Sequence, residues 1–291
     1  MNSYDLGGHS GCRILLIEDD DGRVYVRKIS KDVAYNNRLR IQSEKQAAFS
    51  KNKIAAPEVY NQGYTAEGLF YFDMQYIPGM TLAEYIKTME IGKIRGLVES
   101  LVDSLVPKSE PDSVSDNAVV QIFAKKLADL RSMLKDHHNV VIDNALDLLE
   151  AHDWGKLTPT MCHGDMTLEN IIIKNDRLYF IDFLDSFYES WFLDVGTLLQ
   201  DVQVMWSYRF QKNTNMNTVL RLIVFRDLLL DSIRAINPDY ESEIYYALLQ
   251  KLIRIYPYTT DEHTYNFLNE KTSLVVEQIR KLDANTGGGL E

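Results

Sequence analysis

The stretch His163-Gly164-Asp165-Met166-Thr167-Leu168-Glu169-Asn170 is the most informative part of this sequence, and Asp182 follows twelve residues later within Phe180-Ile181-Asp182-Phe183. Apolar runs at 171–173 and 178–181 predict two short strands beside these polar residues. In phosphoryl transfer, a carboxylate accepts the proton of the attacking hydroxyl, while amide and carboxylate oxygens hold Mg²⁺ against the nucleotide phosphates. The spacing therefore predicts Asp165 as the base and Asn170 and Asp182 as metal ligands.

These residues resemble the aminoglycoside phosphotransferase and choline kinase family, the small-molecule branch of the protein-kinase-like fold. The family's His-Gly-Asp-x-x-x-x-Asn loop and its Ile-Asp-Phe step occur here in order and at the expected separation. The resemblance implies an α+β, bilobal protein-kinase-like fold with a small β-rich N-lobe and a larger, mainly helical C-lobe. It also implies Mg²⁺-dependent transfer of the γ-phosphoryl group of ATP or GTP.

The resemblance extends upstream to a nucleotide-binding region. The glycine-rich stretch 7–11 lies where the family places its nucleotide loop, whose backbone N–H groups can approach phosphates. Lys28 lies on the next strand, where the family places the lysine that holds the α- and β-phosphates, and Glu44 lies on the following helix as its ion-pair partner. The nucleotide-binding residues implied are Gly8, Ser10, Gly11, Lys28, Glu44, Gln75 and Ile77.

Two of these assignments depend on backbone geometry. Neighbouring strand residues face opposite sides of a sheet, so only one of Arg27 and Lys28 can point into a cleft. We choose Lys28 because it shares its face with Val24 and Val26. The segment 74–79 resembles the family's hinge, so backbone groups of Gln75 and Ile77 are expected to pair with the purine.

Two further residues are expected to support the catalytic loop. His163 is expected to do so by packing and hydrogen bonding, with no acid–base work. Asp194 matches the family's structural aspartate, although a helix N-terminal cap is an equally good interpretation.

The acceptor is expected to be a small molecule with a hydroxyl group. Protein kinases usually carry a lysine two residues beyond the catalytic aspartate, where Thr167 stands here, and no Ala-Pro-Glu sequence or long activation segment follows Asp182. Acidic residues beside aromatic ones would suit a cationic amine. The acceptor-binding residues proposed on this basis are Asp185, Glu189, Asp201, Trp206, Tyr208 and Asp231.

Composition limits the remaining possibilities. The 291 residues are 45% hydrophobic and carry a formal net charge of −11, which disfavours nucleic acid and anionic membranes as partners. Only Cys12 and Cys162 occur, no apolar run approaches a membrane span, and the first residues lack a signal-peptide pattern, so a cytoplasmic location is expected.

Periodicity predicts where the lobes and elements lie. The N-lobe is expected at 1–77, the C-lobe at 78–286, and a linker or cloning scar at 287–291. The predicted elements are a hairpin of strands 12–17 and 24–29 turning at Asp21-Gly22, a helix at about 36–52, helices at 91–105, 118–136 and 139–152, strand character at 160–162, and helices from 191 to about 283.

Several alternatives stay open. One alternative is a nucleotide-binding pseudokinase or scaffold, although such a protein has no need to keep all of the catalytic, metal-binding and nucleotide-binding residues named above. A protein kinase is a weaker one. The acceptor could be an amino alcohol, an aminoglycoside or a sugar, and the sequence decides neither between ATP and GTP nor the oligomeric state.

Overall fold

A computed structural model describes residues 2–7, 11–49, 54–107, 117–137, 139–211 and 214–287. The elements follow in the order β1 (Asn2–Asp5), β2 (Arg13–Glu18), β3 (Val24–Ile29), α1 (Asn36–Ala48), β4 (Ile54–Ala55), β5 (Val59–Tyr64), β6 (Phe70–Gln75), β7 (Met80–Thr81), α2 (Leu82–Tyr85), α3 (Ile91–Leu105), α4 (Asn117–Leu134), α5 (Val140–Ala151), β8 (Ile171–Lys174), β9 (Arg177–Phe180), α6 (Trp191–Val202), α7 (Met216–Ile236), α8 (Tyr240–Ile253) and α9 (Glu262–Gly287). Short 3₁₀ turns lie at 154–156, 168–170, 206–208 and 256–258.

A five-stranded antiparallel sheet in the order β1-β2-β3-β6-β5 occupies the first part of the chain. The β2–β3 hairpin turns at the predicted Asp21-Gly22 step, where the Asp19 side chain accepts hydrogen bonds from the Asp21 and Arg23 N–H groups. Helix α1 packs on this sheet. The buried cluster beneath it consists of Cys12, Val26, Leu39, Phe70, Phe72 and Met74.

A second sheet, in the order β4-β9-β8-β7, fixes the polar residues identified above. Strands β8 and β9 pair antiparallel, with Ile171 opposite Phe180. The Ile181 N–H donates to the Asn170 carbonyl at 3.0 Å and so continues the pairing beyond the last ladder residues. Asn170 and Asp182 therefore lie at the same end of the hairpin.

The chain divides into two compact units that both include discontinuous segments. The first consists of Met1–Tyr85, His163–Asp165 and Glu169–Ser186, and the second of the remaining segments. The first unit thus takes in both sheets and helix α1, and joins strands from the predicted N-lobe to the hairpin that follows the catalytic loop.

The second unit is helical, and α6 lies at its centre. Every residue of α6 is buried. Gly196 lets α6 pack closely on α8, since a Cβ atom there would lie 2.9 Å from both the Ala247 Cβ and the Leu248 N atom. In the described ranges no helix has the length and apolar character needed to cross a membrane.

Two predicted elements differ from the structure. Helix α1 ends at Ala48, because Phe49 adopts an extended backbone and its ring packs against Phe180 and Phe183. Residues 160–162 form no strand, because their backbone groups bond elsewhere. The N–H of Thr160 donates to the Glu189 carbonyl, and the N–H of Cys162 donates to the Glu189 carboxylate.

Candidate active site

The loop that carries Asp165 depends on Gly164. This residue has a φ of 92°, a backbone conformation that favours glycine. A Cβ atom at Gly164 would also lie 2.4 Å from the Ser186 Oγ atom and 3.1 Å from the Leu184 carbonyl oxygen. The turn before Asp165 therefore requires glycine for its conformation and for its close approach to segment 184–186.

The fully buried His163 ring links this loop to the hairpin. Its Nε2 atom lies 2.6 Å from the Ile181 carbonyl oxygen, and its Nδ1 atom accepts the Asp165 N–H at 3.2 Å. The ring also packs against Phe180 and Phe183. Both ring nitrogens thus face backbone groups, an arrangement that supports the loop and offers no proton to a ligand.

Asp165 and Asn170 are held together across the loop. The Asn170 Nδ2 atom donates to the Asp165 carbonyl oxygen at 2.9 Å and to its carboxylate Oδ2 atom at 3.2 Å. Both side chains are half-buried. Because the amide nitrogen points toward Asp165, the Asn170 Oδ1 atom points away from it.

Asp182 meets Lys28 at the end of the same hairpin. The Lys28 Nζ atom lies 3.0 Å from the Asp182 Oδ1 atom, and the lysine side chain is only 4% exposed. Asp182 has a φ of 60°, which costs a non-glycine residue roughly 1–2 kcal/mol. Strain of this kind persists where surrounding contacts enforce it, and the ion pair with Lys28 is one such contact.

Arg27 faces the other side of the sheet, as strand alternation requires. Its guanidinium forms two hydrogen bonds with Asp73, at 2.7 and 2.9 Å, and lies over the Tyr71 ring. The hydrogen bond to Asp73 raises the pKa of the Arg27 guanidinium. Arg27 is therefore a structural residue, and Lys28 is the basic residue beside Asp182.

The ion pair expected between Lys28 and Glu44 is not formed. Lys28 pairs with Asp182, whereas Glu44 pairs with Arg40 one turn earlier on α1, with half of its side chain exposed. The buried face of α1 carries Leu39, Gln42, Ser43 and Gln46. Glu44 lies off this face, and the predicted ion pair between Glu44 and Lys28 is not present in this conformation.

Asp201, predicted to bind the acceptor, braces the catalytic loop instead. It is fully buried, and its Oδ2 atom accepts the Leu168 N–H at 2.6 Å. Its Oδ1 atom accepts hydrogen bonds from the N–H and the hydroxyl of Ser207 at 2.9 and 2.8 Å. Asp194, which the sequence assigned to supporting this loop, is also buried, in the first turn of α6.

The other proposed acceptor residues already have partners within the chain. Asp185 pairs with Arg38, Glu189 accepts from the Cys162 N–H and thiol, and the Trp206 ring is covered by the Arg209 guanidinium at 3.9 Å. Asp231 pairs with Arg234, and Tyr208 is 3% exposed. None of these contacts points to a cationic acceptor.

The nucleotide loop is described only at its edges. Gly8 and Ser10 lie outside the described residues, while Gly7 and Gly11 both have positive φ angles. β1, before this loop, is a short strand of 4 residues. At the hinge, the Gln75 N–H donates to the Glu58 carbonyl. Of the Gln75 backbone groups, only the carbonyl is therefore left to form a hydrogen bond with a purine.

Sequence reasoning missed a polar face of α1. Arg38, Gln42 and Lys45 bond to residues 184 and 185, which directly follow Asp182 and Phe183. Their spacing of four and three residues is the available signal, because it places all three on one side of a helix. In this sequence the two other charged residues of α1, Arg40 and Glu44, obscured that signal.

The predicted metal ligands suit a hard cation. Asn170 and Asp182 offer one amide and one carboxylate group, which are the oxygen donors that Mg²⁺ uses, with nucleotide phosphates and water completing its shell. In the described ranges, no three His, Cys, Asp or Glu side chains converge as a metal-binding group.

Comparisons with known proteins agree with this geometry. A family model described as "Phosphotransferase enzyme family" matches residues 6–215. No curated protein shows significant similarity to the sequence.

Three similar solved structures share the fold. A thermostable mutant of the aminoglycoside phosphotransferase APH(4)-Ia, in a ternary complex with ADP and hygromycin B, has a TM-score of 0.63 at 16% identity, covering 95% of this chain and 93% of the other. A protein assigned as a fructosamine-3-kinase from Haemophilus somnus 129PT has a TM-score of 0.57 at 14% identity, covering 96% and 91%. An ethanolamine kinase from Plasmodium vivax has a TM-score of 0.54 at 13% identity, covering 94% and 81%. At such identities the likeness establishes the kinase-like fold, with its β-sheet N-lobe and helical C-lobe.

Proposed function

This chain belongs to the phosphotransferase enzyme family, and we propose that it transfers the γ-phosphoryl group of Mg²⁺-bound ATP or GTP to a hydroxyl group of a small molecule. The observation that carries the proposal is the linked set formed by Asp165, Asn170, Asp182 and Lys28. Contacts of 3.2 Å or less join Asp165 to Asn170 and Lys28 to Asp182 at one end of the β8–β9 hairpin. A scaffold that only binds a nucleotide does not require a carboxylate such as Asp165 to accept a proton.

Asp165 is proposed as the group that receives the acceptor proton. The acceptor oxygen forms a bond to the γ-phosphorus, the bond between the γ-phosphorus and the β–γ bridging oxygen breaks, and the nucleoside diphosphate leaves. The proton of the acceptor hydroxyl passes to the Asp165 carboxylate. The hydrogen bond from Asn170 Nδ2 fixes that carboxylate during the transfer.

Asn170 and Asp182 are proposed to hold the cation. When bound, Mg²⁺ neutralises charge on the phosphates and orients them. The Asn170 Oδ1 atom is available because its Nδ2 atom bonds to Asp165. Lys28 lies against Asp182, so one ammonium group can orient this carboxylate and meet a phosphate oxygen nearby.

The purine is proposed to bind along the hinge backbone. Ile77 is 5% exposed, and among the described residues no protein acceptor meets its N–H group. The Gln75 carbonyl is the acceptor and the Ile77 N–H is the donor offered to the purine base. Such backbone contacts do not by themselves distinguish ATP from GTP.

The acceptor is proposed to carry both an amine and a hydroxyl group. The names of similar structures include an aminoglycoside phosphotransferase, a fructosamine-3-kinase and an ethanolamine kinase. All three acceptor types are polyols or alcohols with an amine. A cytoplasmic enzyme acting as a small-molecule kinase fits these names and the acidic composition.

The experiment that tests this function is a thermal-shift titration with ATP and GTP, with and without Mg²⁺, on the wild type and three variants. Asp165→Asn should keep Mg-nucleotide affinity, whereas Asp182→Asn should weaken it at least about tenfold. Asp176→Asn is the matched control, because Asp176 is an exposed aspartate at the tip of the same hairpin. Its nucleotide affinity should equal that of the wild type.

A screen of amino alcohols, aminoglycosides and sugars then identifies the acceptor, with nucleoside diphosphate release followed for each compound. Acceptor-dependent release supports the proposal. Equal nucleotide affinity in the wild type and Asp182→Asn would contradict the site assignment, and Lys28→Ala, added to the titration, should weaken affinity as well. Nucleotide binding without transfer to any compound would favour a nucleotide-binding scaffold.

A further inference from the structure

The segment that follows Asp182 is held from two sides within the first unit. On one side, the Leu184 N–H donates to the His163 carbonyl at 3.0 Å. On the other side, the Lys45 Nζ atom donates to the Leu184 carbonyl at 2.7 Å. Leu184 therefore connects helix α1 with the loop that carries Asp165.

Asp185 is the charged attachment point between α1 and this segment. The Arg38 Nε atom and the Gln42 Nε2 atom both donate to the Asp185 Oδ1 atom, at 2.7 and 3.1 Å. Arg38, Gln42 and Lys45 are spaced by four and three residues and so occupy one face of α1. This face thus carries three side chains that bond to two consecutive residues.

The attachment lies close to a strained backbone position. Asp182, with its φ of 60°, precedes Asp185 by only three residues. Phe183, between them, is buried against the rings of Phe49 and His163. Anchored Phe183 and attached Asp185 together fix the course of the backbone that follows Asp182.

We propose that Arg38 and Asp185 form a positioning pair that orients Asp182 toward the nucleotide-bound cation. The inference rests on the proposed function, because it concerns the cation that Asp182 is proposed to hold. The pair couples α1 to the site, which is the task that the resemblance assigned to Lys28 and Glu44. Glu44 is the only acidic residue of α1 and pairs with Arg40. In this role Arg38 and Asp185 are positioning residues that act through Asp182.

The test measures how much Mg²⁺ is required for binding of the non-hydrolysable nucleotide AMP-PNP, by calorimetric titration on the full chain. Arg38→Ala and Asp185→Asn should each raise the Mg²⁺ concentration for half-maximal binding roughly tenfold, the usual size of an effect on a residue that orients a metal ligand. Arg38→Lys keeps the charge and should restore part of this loss. The double variant should lose no more than either single variant, because the two residues form one contact.

Arg40→Ala is the matched control. Arg40 lies two residues from Arg38 on the same helix and is similarly exposed, but it bonds to Asn37 and Glu44 of α1 itself. The Arg40→Ala variant should need the same Mg²⁺ concentration as the wild type for half-maximal binding of AMP-PNP. Apo melting temperatures of all variants separate loss of folding from loss of orientation, and Asp185→Asn keeps the size of the side chain if Arg38→Ala unfolds.

Two results would overturn the inference. The first is that the wild type binds AMP-PNP in the presence of Mg²⁺, but Arg38→Ala and Asp185→Asn need the same Mg²⁺ concentration for half-maximal binding as Arg40→Ala. In that case the pair does not position Asp182, while the proposed function stands. If the wild type itself shows no Mg²⁺-dependent binding, the proposed function fails and the positioning role fails with it.

Discussion

The β8–β9 hairpin and helix α1 both contribute to the site of the first unit, but they hold their functional residues by different means. In the hairpin region, backbone hydrogen bonds and the conformation of Gly164 fix where Asp165, Asn170 and Asp182 lie. Helix α1 is tied to the same region through the side chains of Arg38, Gln42 and Lys45. Substitutions that disturb the backbone should therefore displace the residues of the hairpin region, whereas loss of single side chains should break the contacts between α1 and that region.

The largest expected effect of breaking the backbone arrangement comes from Gly164→Ala. The added methyl group meets Ser186 and Leu184, and alanine disfavours a φ of 92°. We expect a loss of at least about 2 kcal/mol in the free energy of unfolding. Phosphoryl transfer should fall together with it.

Melting temperature measures this loss, and about 2 kcal/mol corresponds to a decrease of roughly 3 °C for a chain of this size. Gly92→Ala serves as the control, because a Cβ atom at Gly92 in helix α3 meets nothing within 4 Å. An unchanged melting temperature for Gly164→Ala would show that the loop conformation is not required.

A smaller effect is expected when the loop brace is changed by Asp201→Asn. The amide has one acceptor oxygen in place of two, so either the Leu168 N–H or the Ser207 N–H loses its partner. An unsatisfied buried group costs about 1–3 kcal/mol. Because Leu168 lies three residues after Asp165, we expect kcat to fall about tenfold while nucleotide affinity is kept.

Ser207→Ala sharpens this comparison. It removes the hydroxyl bond to Asp201 and leaves the bond to Leu168 in place. It should lower stability by about 1 kcal/mol, with kcat unchanged. Equal kcat losses in both variants would argue against a bracing role for the contact with Leu168.

The smallest effect is expected from Glu44→Gln. Glu44 is exposed and pairs with Arg40 by a surface contact worth about 0.3–0.5 kcal/mol. Steady-state kinetics should give kcat/KM for the nucleotide within about twofold of the wild type. A large loss would show that Glu44 reaches Lys28 in the active conformation.

The hairpin region could be predicted from sequence because local rules determine it. Because strand residues alternate between the two faces of a sheet, Arg27 and Lys28 had to face opposite sides. The spacing of Asp165, Asn170 and Asp182 follows from a short loop and one hairpin. The kinase-like fold followed from the same residues.

The helical contributions could not be predicted in this way, because they depend on which face of a helix is covered. The buried face of α1 is mostly polar, with Gln42, Ser43 and Gln46, so hydrophobic periodicity does not reveal it. Helix α6 is buried on all sides, so its sequence pattern did not reveal that Asp201 bonds to Leu168 and Ser207. The acceptor residues were inferred from composition alone, and the structure gives them other partners.

The most direct test of the central claim is ³¹P NMR of reactions containing Mg²⁺, the nucleoside triphosphate and the best acceptor from the screen, with wild type and Asp165→Asn compared. We predict a phosphate-ester signal that grows with nucleoside diphosphate in the wild type, and formation slowed by about 10²–10⁴-fold in the variant. An ester that forms at the same rate in both proteins, or only inorganic phosphate in the wild type, would contradict the account.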